Sequence, residues 1–443
     1  MLEMLFTTDA MRAIFSDSAR VQRMLDFEAA LARAEASVRV IPETAAEPIV
    51  RCCRAERYDF EALRAAARNG GNLAIPLVSA LTAQVASADA NARGFVHWGA
   101  TSQDVIDTGL MLQLRDALAL IAADLDRCAD ALVAQVRAHR ATTLVGRTWL
   151  QQALPVTLGL KLAGALSAID RHRQRVSVLC ERSAVLQFGG AAGTLASLGD
   201  RGVAVEAAMA KDLGLHVSDT PWHTQRDGLC EIAATLGLIT ATLGKLARDL
   251  SLLAQTEVAE AFEAAAPGRG GSSTMPHKRN PVGAAVALAA AVQVPALVAT
   301  MLFAAVQEHE RGLGDWPAEW DTLPQIAMLT AGALDTMTHV VAGLDVDAQR
   351  MRENLDITHG QIMAEAVQMA LAPKLGRDVA HSLVGAACKR ALAEHRHLRD
   401  VLGDDPKVSA VLDPAALARL FDPTSYLGSA DAFIERVLAR RSR

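Results

Sequence analysis

QDVIDTGLMLQLRDALALIAADLDRCADALVAQVRAH, residues 103–139, is the stretch that decides the fold class. Leu110, Leu114, Leu118, Ile121, Leu125, Leu132 and Val136 recur at three- or four-residue steps or multiples of them. That spacing lays them along one face of an α-helix, and no proline interrupts it. Ser102 stands where an N-cap belongs, with Asp104 in the first turn. A second run, Leu229, Ile232, Leu236, Ile239, Leu243, Leu246, Leu250 and Leu253, continues without proline to about Ala266. A third, residues 282–307, carries no charge and is expected to bend at Pro295. A fourth lies between Leu154 and about Leu186. No alternating strand pattern stands out, so the fold class read here is all-α.

Helices of roughly 35 residues are roughly 50 Å long at 1.5 Å per residue. That exceeds what one compact domain needs, and apolar faces of such length want partners. The inference is a central bundle that continues across subunits; extra helices covering those faces in a monomer would serve equally. Breaks in the pattern suggest three regions: 1–100 with short helices, 101–345 with the long ones, and 346–443, broken by Pro373, Pro406 and Pro423.

Composition narrows the function classes. Half of the 443 residues are hydrophobic but only 4% are aromatic, so Ala, Leu and Val must build the core. Alanine favours helices and lets them approach closely. A net charge of −6 over this length argues against a nucleic-acid surface. The six cysteines show no metal-ligand spacing and read as reduced thiols of a cytoplasmic protein. No metal or other cofactor is expected. The N-terminus lacks a basic segment followed by an apolar one, so no signal peptide is read. The uncharged third run is long enough to span a bilayer. Its Gln293, Pro295 and alanines favour instead a helix at the centre of a soluble bundle.

Five segments interrupt the helices with glycine, polar residues and tryptophan. They are residues 97–104, 146–151, 221–227, 271–281 and 308–320, and four of them hold all five tryptophans. This mixture suits a concave site, although tryptophans could equally cap the ends of the bundle. Thr101 and Ser102 precede a helix, where free N–H groups and the dipole attract a carboxylate. Residues 271–281, Gly-Ser-Ser-Thr-Met-Pro-His-Lys-Arg-Asn-Pro, combine a permissive backbone, three hydroxyls and the cations Lys278 and Arg279.

That loop resembles the signature loop of the fumarase/aspartase superfamily. His97-Trp98-Gly99-Ala100-Thr101-Ser102-Gln103-Asp104 resembles the superfamily's first motif. The resemblance implies a three-region helical fold in a homotetramer, with active sites built from segments of three subunits. It implies chemistry at a carbon α to a carboxylate. Ser272 falls on the family's catalytic serine, whose alkoxide needs nearby positive charge. Lys278 can supply that charge and stabilise the aci-carboxylate. Thr101, Ser102 and Asn280 fall on carboxylate-binding positions, Ser273 and Met275 line the same loop, and Arg147 and Gln225 are weaker binding candidates. His97 is the second candidate for proton transfer.

One departure selects a branch. Amine-eliminating members carry Gly-Arg-Thr-His where this chain has Gly146-Arg147-Thr148-Trp149. Tryptophan cannot act as a general acid, since its indole N–H only donates a hydrogen bond. Expelling an amine requires a proton donor; expelling a carboxylate, whose conjugate acid has a pKa of about 4, does not. The pattern therefore resembles the lactone-forming branch, in which an internal carboxylate of a small tricarboxylate adds across a conjugated double bond. Trp149 would then stack on substrate or fill the space the histidine left. An amine-eliminating lyase and a catalytically silent structural relative are the competing readings.

Overall fold

The apolar runs fold as their spacing requires. The computed structural model describes residues 2–264, 270, 271 and 274–441. After short helices near the N-terminus, helix α1 spans Asp17–Ser37, opened by Ser16, whose hydroxyl accepts the Ala19 N–H at 3.2 Å. Helix α2 is Ser102–Ala138, followed by strands β1, Thr143–Thr148, and β2, Gln151–Thr157. Helices α3, Leu158–Arg182, and α4, Asp227–Leu253, come next. Strand β3 is Ala261–Phe262, helix α5 Val282–Ala304, helix α6 Asp315–Ala342 and strand β4 Asp345–Val346. The C-terminal helices include α7, Ala364–Leu375, and α8, Arg377–Glu394.

The seven periodic residues of α2 and the eight of α4 are all buried. Each buried Leu or Ile contributes about 1.5–3 kcal/mol relative to exposure. Their burial is what makes the helical period of these two runs decisive for the fold. Small residues let the helices close up: a Cβ built on Gly244 of α4 would stand 2.5 Å from the Cβ of Ala291 on α5.

The contacts group the chain into two units, each discontinuous in sequence. The first comprises Met1–Asp126, Arg171–Gly244 and Val286–Thr336. Its core holds Phe27 and Leu31 of α1, Leu77, Leu81, Phe188 and Met209, with the Phe27 and Phe188 rings 6.3 Å apart. The second comprises Arg127–Asp170, Lys245–Ala285 and Met337–Arg443. Its core includes Val367, Leu371, Val384, Leu398 and Val401. The boundaries fall inside the long helices, so this grouping differs from three consecutive regions.

Two details depart from the periodicity reading. Residues 143–157 form an antiparallel hairpin pairing Thr143 with Thr157 and Thr148 with Gln151, with an irregularity between Val145 and Arg147. Its alternation is blurred by that irregularity and by Pro155, and α3 consequently starts at Leu158 rather than Leu154. Helix α4 ends at Leu253, short of Ala266. The chain leaves the helix there, passing through Ala259 at φ 53°, and buries Glu260 against Arg147 and Asn354.

Candidate active site

Among the described residues, the expected site residues fall into two groups, one in each unit. In the first unit the start of α2 is the organising element. Thr101 and Ser102 are half-buried there, ahead of buried Gln103 and Asp104. Asp104 accepts the Thr101 N–H at 3.0 Å, those of Gly189 and Gly190 at 3.0 and 2.9 Å, and stands 2.7 Å from His223 Nε2. One carboxylate thus fixes the turn that carries both hydroxyls. Gly99 has φ 75°, and a Cβ there would meet Leu198 at 2.7 Å, so the turn admits only glycine.

His97 also lies in the left-handed region, at φ 57°. Its Nδ1 is 2.6 Å from Oε1 of Glu28, a side chain of α1 that is 1% exposed. Burial works against a charged imidazole here, but the attraction of Glu28 and then Asp104 outweighs it and raises the His97 pKa.

Beneath this turn lies a buried network that the sequence reading did not single out. Arg226 donates to both carboxylate oxygens of Asp107, at 2.7 and 3.1 Å, and its Nε reaches Glu319 at 3.0 Å. Trp316 Nε1 and Gln103 Nε2 donate to the same Asp107, at 3.0 and 3.1 Å. The Arg226 guanidinium sits 4.9 Å from the Trp222 ring centroid. Burial opposes its charge, but Asp107 and Glu319 outweigh that and hold it protonated. Burial also pushes the Glu319 carboxyl above its ordinary value, against the pull of Arg226. The signal available in the sequence was a carboxylate, Asp107, within an apolar helical run. Arg311 joins this group, donating from Nε to Gln103 Oε1 at 2.9 Å. Gln225 is exposed beside Trp222 and Asp227 on the wall of an open cavity.

The second unit holds the other group. Arg147 forks onto Glu260, Nη1 to Oε2 at 2.9 Å and Nη2 to Oε1 at 2.7 Å, and Asn354 donates to the same carboxylate at 2.8 Å. Glu260 is fully buried, so the Arg147 charge is committed within the fold and anchors the hairpin. At the tip, Trp149 and Leu150 take φ 52° and 64° and are 98% and 75% exposed.

In the loop that follows, Ser272 and Ser273 lie outside the described residues. Met275 and Lys278 are exposed, and among the described residues no carboxylate pairs with the Lys278 ammonium. Arg279 is different: it reaches the Glu263 carbonyl at 2.8 Å and Asp345 at 2.9 Å, clamping the loop's base. Asn280 is half-buried, its N–H on the Gly270 carbonyl at 2.8 Å. Glu263 in turn accepts the N–H groups of Gly283 and Ala284, at 3.0 and 2.8 Å, capping α5.

The chain belongs to the lyase family of the fumarase/aspartase superfamily: the family profile matches residues 3–296, and that of the adenylosuccinate lyase C-terminus matches 360–437. Among its relatives is the 3-carboxy-cis,cis-muconate cycloisomerase of Pseudomonas aeruginosa, 58% identical over 98% of this chain and 95% of the relative. The crystal structure of 3-carboxy-cis,cis-muconate lactonizing enzyme from Pseudomonas putida superposes with a TM-score of 0.95 at 55% identity. It is matched over 100% of this chain and 99% of that one. The cycloisomerase from Acinetobacter calcoaceticus superposes with a TM-score of 0.94 at 47% identity, over 99% of each chain.

Proposed function

We propose that this chain is an intramolecular lyase that closes 3-carboxy-cis,cis-muconate to 4-carboxymuconolactone, a step of protocatechuate degradation. One substrate carboxylate adds across the conjugated double bond, and the α-carbon of the side chain takes a proton. The observation that carries the reading is Trp149 at the hairpin tip, where amine-eliminating members have histidine. Its side chain has no titratable nitrogen, and a carboxylate nucleophile requires none. Near-full-length similarity to enzymes bearing the cycloisomerase name supports the same substrate.

In this reading Thr101 and Ser102 hold one carboxylate on the helix dipole of α2. Lys278 and Asn280, with Ser273 and Met275 beside them, hold another, and Lys278 stabilises the negative charge that grows at the α-carbon's carboxylate. Ser272 transfers the proton, with His97 as the alternative. Gln225 lines the site, and Arg147 acts by fixing the hairpin that carries Trp149. The exposed Trp149 and Leu150, and Val292 and Phe303 of α5, at 77% and 78% exposure, support a homotetramer whose sites are shared between subunits. No cofactor, nucleic acid or membrane enters the reaction.

A single ultraviolet assay tests this. Loss of the conjugated-diene absorbance of carboxymuconate is the expected result. Turnover of adenylosuccinate alone would replace the reading with an amine-eliminating lyase, and silence on both would point to a structural relative.

A further inference from the structure

Two carboxylates of α1 have oxygens that are buried and lack a hydrogen-bond partner among the described residues: Oε2 of Glu28 and both oxygens of Glu35. A buried carboxylate without compensation costs several kcal/mol, so a fold retains one only where something offsets it. The two stand seven residues apart, two turns of helix, and so share one face of α1. Among the described residues Glu28 has one hydrogen-bond partner, the His97 imidazole at 2.6 Å. His97 itself sits at φ 57°, a backbone conformation that costs a non-glycine residue about 1–3 kcal/mol. A strained residue is thus held in place by a buried acid with no other hydrogen-bond partner among the described residues.

Nδ1 is the ring nitrogen that meets the buried Glu28 carboxylate, and the His97 side chain as a whole keeps 18% of its surface exposed. We propose that Glu28 is a positioning residue that acts through His97: its carboxylate fixes the imidazole by Nδ1–H and leaves Nε2 as the nitrogen that meets the substrate. The kinetic side of this proposal rests on the lactonisation reading; the geometric side does not.

The surrounding charges agree with it. The groups that face His97 are Glu28 from α1 and Asp104 from α2, and both favour the imidazolium. Glu35 adds no second anion, because burial first and the charge of Glu28 second push its carboxyl up to about 9, and it stays protonated at neutral pH. With Nδ1–H held by Glu28, Nε2 accepts a hydrogen bond when the ring is neutral and donates one when it is protonated, the form that Glu28 and Asp104 favour. Such a group can bind a substrate carboxylate or hand a proton to the α-carbon.

Two measurements test the pairing. In ¹⁵N-histidine-labelled protein, with His97 assigned by its loss in His97→Gln, Nδ1 carries a proton throughout the titration. The ring titrates above the ordinary 6.5. Glu28→Gln lowers that midpoint. An unprotonated Nδ1 in the parent, or a midpoint unmoved in Glu28→Gln, overturns the proposal whatever the substrate proves to be. In kinetics on carboxymuconate, Glu28→Gln lowers kcat/KM by up to about 100-fold, the lower end of what one whole proton-transfer group contributes. In the His97→Gln background the same change costs nothing further, because coupled residues are non-additive. Equal losses in both backgrounds would make Glu28 merely structural. A parent that leaves carboxymuconate untouched would remove the reaction, and the NMR titration would still decide the pair.

Discussion

At the residue scale the most unusual group is Glu35. Its carboxyl is raised from 4.5 to about 9, chiefly by burial. The folded state therefore binds this proton more tightly than the unfolded state. The stability so contributed is complete below about 4.5 and is lost as pH rises towards 9. Glu35→Gln, which cannot ionise, should raise the Tm at pH 8 by at least about 2 °C. The gain should shrink towards zero at pH 5 in a thermal scan at both values. Ser272 carries the other prediction at this scale. Ser272→Ala should cost at least about 100-fold in kcat, the lower range for a general acid or base. Near-normal turnover would transfer the proton step to another group.

Elements show what could and could not be read from the sequence. The helices α2 and α4 were legible because their apolar residues repeat with the helical period and their burial enforces it. The start of α2 was legible too, since Thr101, Ser102 and Asp104 have the chemistry of a helix N-terminus. The hairpin was not: its irregularity between Val145 and Arg147 breaks the two-residue alternation, and Trp149-Leu150 is not a turn sequence. Two-residue hairpin turns with positive φ at both positions prefer Asn-Gly. A tryptophan and a leucine held there indicate strain accepted for another purpose. The double change Trp149→Asn, Leu150→Gly should therefore stabilise the subunit by about 1–3 kcal/mol by relieving two unfavourable positions. It should also abolish lactonisation. Chemical denaturation and the ultraviolet assay on one preparation read both effects, and retained activity would separate the tip from the site.

For the whole molecule, long apolar helices pointed to a bundle shared between subunits, with a monomer whose extra helices cover those faces as the alternative. Arg226 and Glu319 lay in segments already marked as polar, but their pairing through Asp107 was not read, since it joins charges more than 90 residues apart. Assembly is the property to test at this scale. Light scattering should give a mass near four times the 46.9 kDa of one chain. Phe303→Glu, on the exposed face of α5, should reduce it to smaller species by burying an unpaired charge at the interface. An unchanged mass would place the contact elsewhere.

The interleaving of the two units bears on how the protein is born. The first unit needs Asp107, Arg226 and Glu319 together, and its last stretch ends at Thr336. Until Glu319 has left the ribosome, Arg226 lacks one of its two counter-charges. The second unit, whose final stretch begins at Met337, waits longer still. The first unit therefore has all its residues only after Thr336 and can close before the second, which still lacks its last stretch, and a nascent chain halted before residue 319 holds a half-neutralised arginine in place of a nucleus.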